Sequence, residues 1–150
     1  WISSKVASMY IDDSSASFIL EESELAHILN NALEYGQLGP FHVDLIGRDF
    51  SEVEQRYGSP DQMYYSSCTE CDDSDAATYG DYGFYMSLPT IYSVYVNVDL
   101  PIKKLEKILG EPDTVDHGMY SSLIYYRNNN VLYANFEGDR IYQIAIARSY

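Results

Sequence analysis

Apolar residues recur at Leu25, Ile28, Leu29, Ala32 and Leu33, and this i, i+3, i+4, i+7, i+8 spacing predicts an amphipathic helix with one buried stripe. Ser23 is the expected cap at its start, and Gly36 its expected end. Two shorter segments repeat the device at an offset of 52 residues, Phe50 to Asp61 lying over Ile102 to Asp113. Their apolar positions, Phe50, Val53, Tyr57 and Ile102, Leu105, Leu109, follow i, i+3, i+7 and predict two more short helices. Both close on Gly-x-Pro-Asp, with Gly58 or Gly110 free to adopt a left-handed conformation and Pro60 or Pro112 unable to continue the helix. Asp49 or Ser51 is the expected cap of the first, with Glu52 or Glu54 completing a capping box, and Pro101 suits the opening turn of the second.

After each helix the period changes from helical to alternating. Residues 123–127, 131–136 and 141–148 read as three antiparallel strands, joined by turns at Arg127-Asn128-Asn129-Asn130 and Glu137-Gly138-Asp139-Arg140, where Asn and Gly tolerate positive φ. The first unit offers strands at Tyr82–Met86 and Ile91–Val98 around a Leu88-Pro89-Thr90 turn, with a further short strand at 62–66. The expected fold class is α+β: two helix-plus-antiparallel-sheet repeats form one layer of sheet covered by helices on one face. Residues 1–22 are an N-terminal segment to which no structure is assigned. Residues 23–150 form a single domain of one helix and two repeats, about 45–98 and 99–150.

Alternation places Tyr92, Val94, Val96 and Val98, with Leu132, Ala134, Phe136, Ile144 and Ile146, on the face beneath the helices. The opposite face then carries Ser93, Tyr95, Asn97, Tyr125, Arg127, Tyr133, Asn135 and Gln143. Rigid amphipathic rings mixed with small amides suit a contact surface, so Tyr95, Asn97, Tyr125, Arg127, Tyr133, Asn135 and Gln143 are the expected binding residues. An ordinary solvated face, with tyrosines chosen for strand propensity, has the same composition.

The segments Ala32–Leu38, Val53–Asp61 and Leu105–Asp113 resemble the uncharacterised secreted proteins of the YjgB type. Those are similar in turn to the tandem-repeat architecture of beta-lactamase inhibitor protein and of BamE-like lipoproteins. The resemblance covers roughly residues 24–150. It implies a helix-plus-sheet repeat, a secreted or cell-surface location and a non-catalytic role in binding another protein. It carries over no individual contact residue.

Composition narrows the chemistry. At 150 residues the chain is the size of one ordinary domain, and 46% hydrophobic against 21% charged residues is enough for a real core. No apolar run approaches the roughly 20 residues of a membrane-crossing helix. The chain opens at Trp1 without a basic-then-apolar leader, as expected of processed or trimmed protein. Its 23 acidic against 9 basic residues leave a formal net charge of -14, which excludes nucleic acid and anionic lipid as natural partners and leaves solubility, a basic partner or calcium as the reasons for the acidity. Sixteen tyrosines beside one Trp and five Phe are the unusual item.

Candidate chemical motifs are few. Cys68-Thr69-Glu70-Cys71 has the spacing of a redox pair, but Glu70, Asp72, Asp73 and Asp75 oppose a thiolate, so a local disulfide in an oxidising compartment, or two unpaired thiols, is expected. Zinc would need more ligands than this pair and His27, His42 and His117 supply at any supporting spacing. The loop Asp72-Asp73-Ser74-Asp75 lacks the glycine and terminal glutamate of an EF-hand, which leaves an irregular calcium site or a solvated loop. There is no Gly-x-Ser-x-Gly elbow and no phosphate-cradling glycine loop. Asp113 and Asp116 do not by themselves suggest glycoside hydrolysis. His42 reads as a packing residue on a strand and His117 as a turn residue. No cofactor, metal or catalytic residue is expected. The alternatives to protein binding are a hydrolase with an unrecognised site, tested at a carboxylate or His42, and a calcium-stabilised structural module.

Overall fold

The computed structural model describes residues 22–65, 75–118 and 120–148. Its elements in chain order are α1 (Glu22–Tyr35), β1 (Gln37–Leu38), β2 (Phe41–His42), a 3-10 turn (Val43–Leu45) and α2 (Phe50–Tyr57). There follow β3 (Gln62–Tyr64), β4 (Asp75–Tyr79), β5 (Tyr82–Ser87), β6 (Thr90–Pro101), α3 (Ile102–Leu109), β7 (Thr114–His117), β8 (Ser121–Arg127), β9 (Asn130–Glu137) and β10 (Arg140–Arg148).

Local chemistry sets the helix ends. Asp49 caps α2 by accepting a hydrogen bond from the Ser51 amide at 2.9 Å, which also holds its carboxyl below the ordinary aspartate value. Glu52 completes no capping box with it, pairing instead with Arg48 at 3.0 Å. Gly58 and Gly110 both stand at φ +85°, and their amides close the last turns on the Glu54 and Glu106 carbonyls. Ser23 lies inside α1 rather than capping it. At the other end of α1, the Asn128-Asn129 hairpin, with φ +54° and +68°, is the turn expected between β8 and β9. Its neighbour Asn130, buried, donates to the Leu33 carbonyl at 3.1 Å and Asn128 to the Glu34 carbonyl at 3.1 Å, so a distant turn satisfies orphan acceptors of the helix.

The eight long-sheet strands run in the order β3-β4-β5-β6-β10-β9-β8-β7, all neighbours antiparallel. Each half is therefore a helix followed by a four-stranded meander, and the halves join where β6 pairs with β10. This is the α+β layer predicted. The inner face packs Phe84, Met86, Ile91, Val94, Val96, Leu132, Ala134, Ile141, Ile144 and Ile146 against Leu29, Leu33, Phe50, Val53 and Leu105 of the helices in one core. Burying each large side chain contributes about 1.5–3 kcal/mol. Phe84 sits among Phe41, Phe50 and Tyr79, with ring centroids 4.7–6.1 Å away, so truncating it removes the centre of an aromatic cluster at a cost of about 3–5 kcal/mol.

Several expectations are corrected. β4 and β7 were not foreseen: the first is only five residues, and the second is a four-residue edge strand exposed throughout, with no buried face to mark it. β7 takes in His117, which is thus an edge-strand residue rather than a turn residue, its ring 6.3 Å from Phe136. Tyr92 is not a core residue. The register slips between Tyr85 and Met86 of β5, so Ile91 is fully buried while Tyr92 bulges out at 44% exposure. Tyr125 and Arg127 are on the helix side of β8, not the outer side. Tyr125 pairs with Leu132 and is 2% exposed within the core, and Arg127 reaches Glu34 of α1 at 3.1 Å.

Candidate functional site

The outer face is built by register. One row runs Tyr95 (β6), Ala145 (β10), Tyr133 (β9), Ile124 (β8). The next runs Asn97, Gln143, Asn135, Ser122 across the same four strands. None of these eight residues is charged, in a chain with a formal net charge of -14. None belongs to the core cluster beneath the helices.

The polar row is one connected hydrogen-bond chain. Ser122 donates to Asn135 Oδ1 at 2.6 Å, Asn135 donates to Gln143 Oε1 at 2.9 Å, and Gln143 Nε2 donates to the Tyr85 hydroxyl at 2.9 Å and to Asn97 Oδ1 at 3.5 Å. Each amide fixes the next, which holds the row in one arrangement. Gln143 and Ser122 are buried despite facing away from the helices.

Tyrosines frame that row. Tyr95 lies across Gly83, where a side-chain carbon would overlap its ring, and stacks on Tyr85 with centroids 4.6 Å apart. It is buried, and burial, followed by its neighbours Tyr85 and Tyr64, pushes its hydroxyl up to about 12. Tyr64, Tyr92, Tyr126 and Tyr142 are exposed, with Tyr133 half-buried. Burial first raises the pKa of Tyr92, Tyr133 and Tyr142 as well, followed by Tyr85 and Asp75 at Tyr92, Tyr126 at Tyr133, and Tyr120, Tyr85 and Glu137 at Tyr142.

Of the expected binding residues, the structure brings Tyr95, Asn97, Tyr133, Asn135 and Gln143 together on this face, with Tyr95 largely covered. Tyr125 and Arg127 are elsewhere, as described. Sequence reasoning missed Ser122, Tyr85 and Tyr142. Tyr85 was within reach, since alternation from the buried Tyr82 and Phe84 puts it outward. Tyr142 is displaced by a second register slip, between Ile141 and Gln143, which alternation along one strand does not show.

His42 is not a packing residue. It is partly exposed on β2, and its Nδ1 accepts from the Asp44 amide at 3.0 Å, capping the 3-10 turn. Cys68, Cys71, Asp72 and Asp73 lie outside the described residues. Asp75 of that loop is within them, and its carboxylate accepts from the Leu88 amide at 3.2 Å. Among the described residues no three His, Cys, Asp or Glu side chains group as metal ligands, and no helix is long and apolar enough to cross a membrane.

With this geometry in hand, comparison with known proteins defines the fold class. The structure is similar to that of a DUF4309 family protein, YjgB, from Bacillus subtilis subsp. subtilis str. 168, with a TM-score of 0.64 and 16% identity over 85% of this chain and 97% of that one. At that identity the likeness is one of fold. Looser similarity extends to a cysteine-rich secretory protein (SAV1118) from Staphylococcus aureus subsp. aureus Mu50, at TM-score 0.46 and 10% identity over 79% of this chain and 48% of that one. An extracellular protein containing a SCP domain from Bacillus anthracis str. Ames gives TM-score 0.43 and 10% identity over 77% and 49%. The chain therefore spans about half the length of these last two. No protein-family model matches the sequence, and neither does any curated protein sequence.

Proposed function

We propose that the protein is a non-catalytic, extracytoplasmic module that holds another protein against the outer face of its sheet. The observation that carries this reading is the ordered amide chain Ser122–Asn135–Gln143–Asn97, framed by Tyr64, Tyr92, Tyr126, Tyr133 and Tyr142 on a face without charged side chains in its central rows. Pre-ordered amides and rigid phenols lose little conformational entropy when a partner covers them, and partly exposed rings supply apolar contact area. The fold similarity to YjgB fits a scaffold whose sheet presents a surface rather than a catalytic cleft. Secretion or surface attachment belongs to the same reading.

The test is site-specific photo-crosslinking in the native cell envelope. A photoreactive phenylalanine at Tyr126 or Tyr142 is expected to give a discrete protein adduct, while the same group at exposed Tyr35, at the end of α1, gives none. Equal yields from both surfaces, or none from the sheet face, would overturn the reading.

A further inference from the structure

The arginines of the described residues are unevenly matched. Arg48 pairs with Glu52 at 3.0 Å, Arg127 with Glu34 at 3.1 Å, Arg140 with Asp99 at 2.7 Å, and Arg148 with Asp44. Arg56 is the one arginine among the described residues with no carboxylate partner, in a chain where acids outnumber bases 23 to 9. Its guanidinium lies 6.0 Å from the Tyr57 ring centroid, a cation–π placement.

Arg56 also lines a cavity of about 310 Å³ between α2 and the β1–β2 hairpin. That volume lies at the small end of ligand sites, which run from about 300 Å³ upward. The other wall presents donors. His42 Nδ1 accepts from the Asp44 amide at 3.0 Å and lies 3.3 Å from the Asp44 carboxylate, the amide bond leaving Nε2 as the ring nitrogen with a proton to donate, and Gln37 uses Nε2 to donate to the Gly39 carbonyl at 2.8 Å with a second N–H to spare. The two carboxylates of the lining, Asp44 and Glu52, are already neutralised by Arg148 and Arg48. The cleft thus holds one uncompensated positive charge, and two lining carboxylates stand against a dianion.

We infer that this cleft binds a single carboxylate group, with Arg56 as its charged partner and the His42 and Gln37 N–H groups as neutral donors. A guanidinium fork matches a carboxylate with two parallel hydrogen bonds, and one negative charge balances that of Arg56. The carboxylate belongs either to a small acid or to the C-terminus of a peptide. This site is separate from the sheet face and stands or falls independently of it.

The full chain is titrated with acetate, acetyl-Ala-Ala, the amide of that dipeptide, and inorganic phosphate, following the arginine Nε–Hε and the Gln37 side-chain amide resonances by heteronuclear NMR. Acetate and the dipeptide acid are expected to shift the Arg56 signal saturably, and the amide is expected not to. Tighter binding of the dipeptide acid identifies a chain terminus as the source, and equal binding a small acid. Read at the Gln37 side-chain amide, which survives the substitution, Arg56→Gln weakens binding by about tenfold or more, whereas Arg140→Gln, which breaks a surface pair outside the cleft, leaves it intact. No saturable shift, a stronger response to phosphate than to either carboxylate, or unchanged binding by Arg56→Gln would overturn the inference.

Discussion

Tyr79 and Tyr125 hold the same post in the two halves of the sheet: each donates its hydroxyl to the carbonyl of the glycine that ends its own helix, Gly58 and Gly110, both at 2.8 Å. The following aspartates are matched too. The Asp61 and Asp113 amides donate to the Thr78 and Ile124 carbonyls, and their carboxylates accept from the Gly80 and Tyr126 amides at 2.6 and 2.7 Å. The repeated Gly-x-Pro-Asp is thus a joint between helix and sheet. The glycines are 52 residues apart and the tyrosines only 46, so the first unit carries six more residues between joint and strand, a span that includes Cys68 and Cys71.

Removing the Tyr125 hydroxyl with Tyr125→Phe leaves the Gly110 carbonyl without that partner. The expected loss is about 1 kcal/mol, seen as a lower urea midpoint at unchanged slope, and Tyr79→Phe should behave alike. An unaltered midpoint in both would show that the joint contributes nothing.

The same pair makes the fold sensitive to alkali. Burial, then Glu54 and Asp61 at Tyr79 and Glu106 and Asp113 at Tyr125, pushes both hydroxyls up to about 12, with Tyr82 and Tyr95 also near 12 from burial first. An unfolded tyrosine ionises near 10, so between those values the unfolded chain binds fewer protons than the native one. Their contribution is complete below pH 10 and falls as pH rises toward 12. Phenolate absorbance should show a late-ionising class of tyrosines that titrates together with loss of near-UV circular dichroism. A single transition centred at the unfolded value with structure retained would contradict this.

Gly83 is where the outer face admits Tyr95. A side-chain carbon there would overlap the Tyr95 ring and press on the Ala77 carbonyl. Gly83→Ala is expected to cost about 1–3 kcal/mol through overpacking, and Tyr95→Ala in the same chain should recover part of that by clearing the ring. Strictly additive losses in the double mutant would refute the contact.

Gln143→Leu breaks the middle of the amide chain, stranding Asn135 Nδ2 and the Tyr85 hydroxyl. A loss of about 1–3 kcal/mol is expected by thermal or urea denaturation. Combining it with Asn135→Leu should cost less than the two single losses together, because the second change removes a group already left unpaired.

Asp49 makes acid the opposite limit. Its carboxyl is held below the ordinary aspartate value by the Ser51 amide, so its capping is complete above about pH 4 and fades as pH falls through its folded value. Asp49→Ala should lower the melting temperature at pH 7, and the difference from wild type should shrink in strong acid. A gap independent of pH would remove the cap from the account.

Much of the scaffold was written locally. Helical spacing, Gly36, Gly58 and Gly110 at helix ends, and the Asn128-Asn129 turn act through neighbours a few residues away, so the chain by itself determined three helices and the two hairpins that join β8, β9 and β10. Faces were another matter. Leu123-Ile124-Tyr125-Tyr126 satisfies either phase of a strand, and only pairing with Leu132 and a hydroxyl within reach of Gly110 turned Tyr125 inward. The slips at Tyr92 and Tyr142 depend on the neighbouring strand, since a bulge is a mismatch of two chains rather than a property of one. Tertiary structure alone decided that Ser122, Asn135, Gln143 and Tyr85 would share one hydrogen-bond chain, because four strands had to meet in register before those groups could touch.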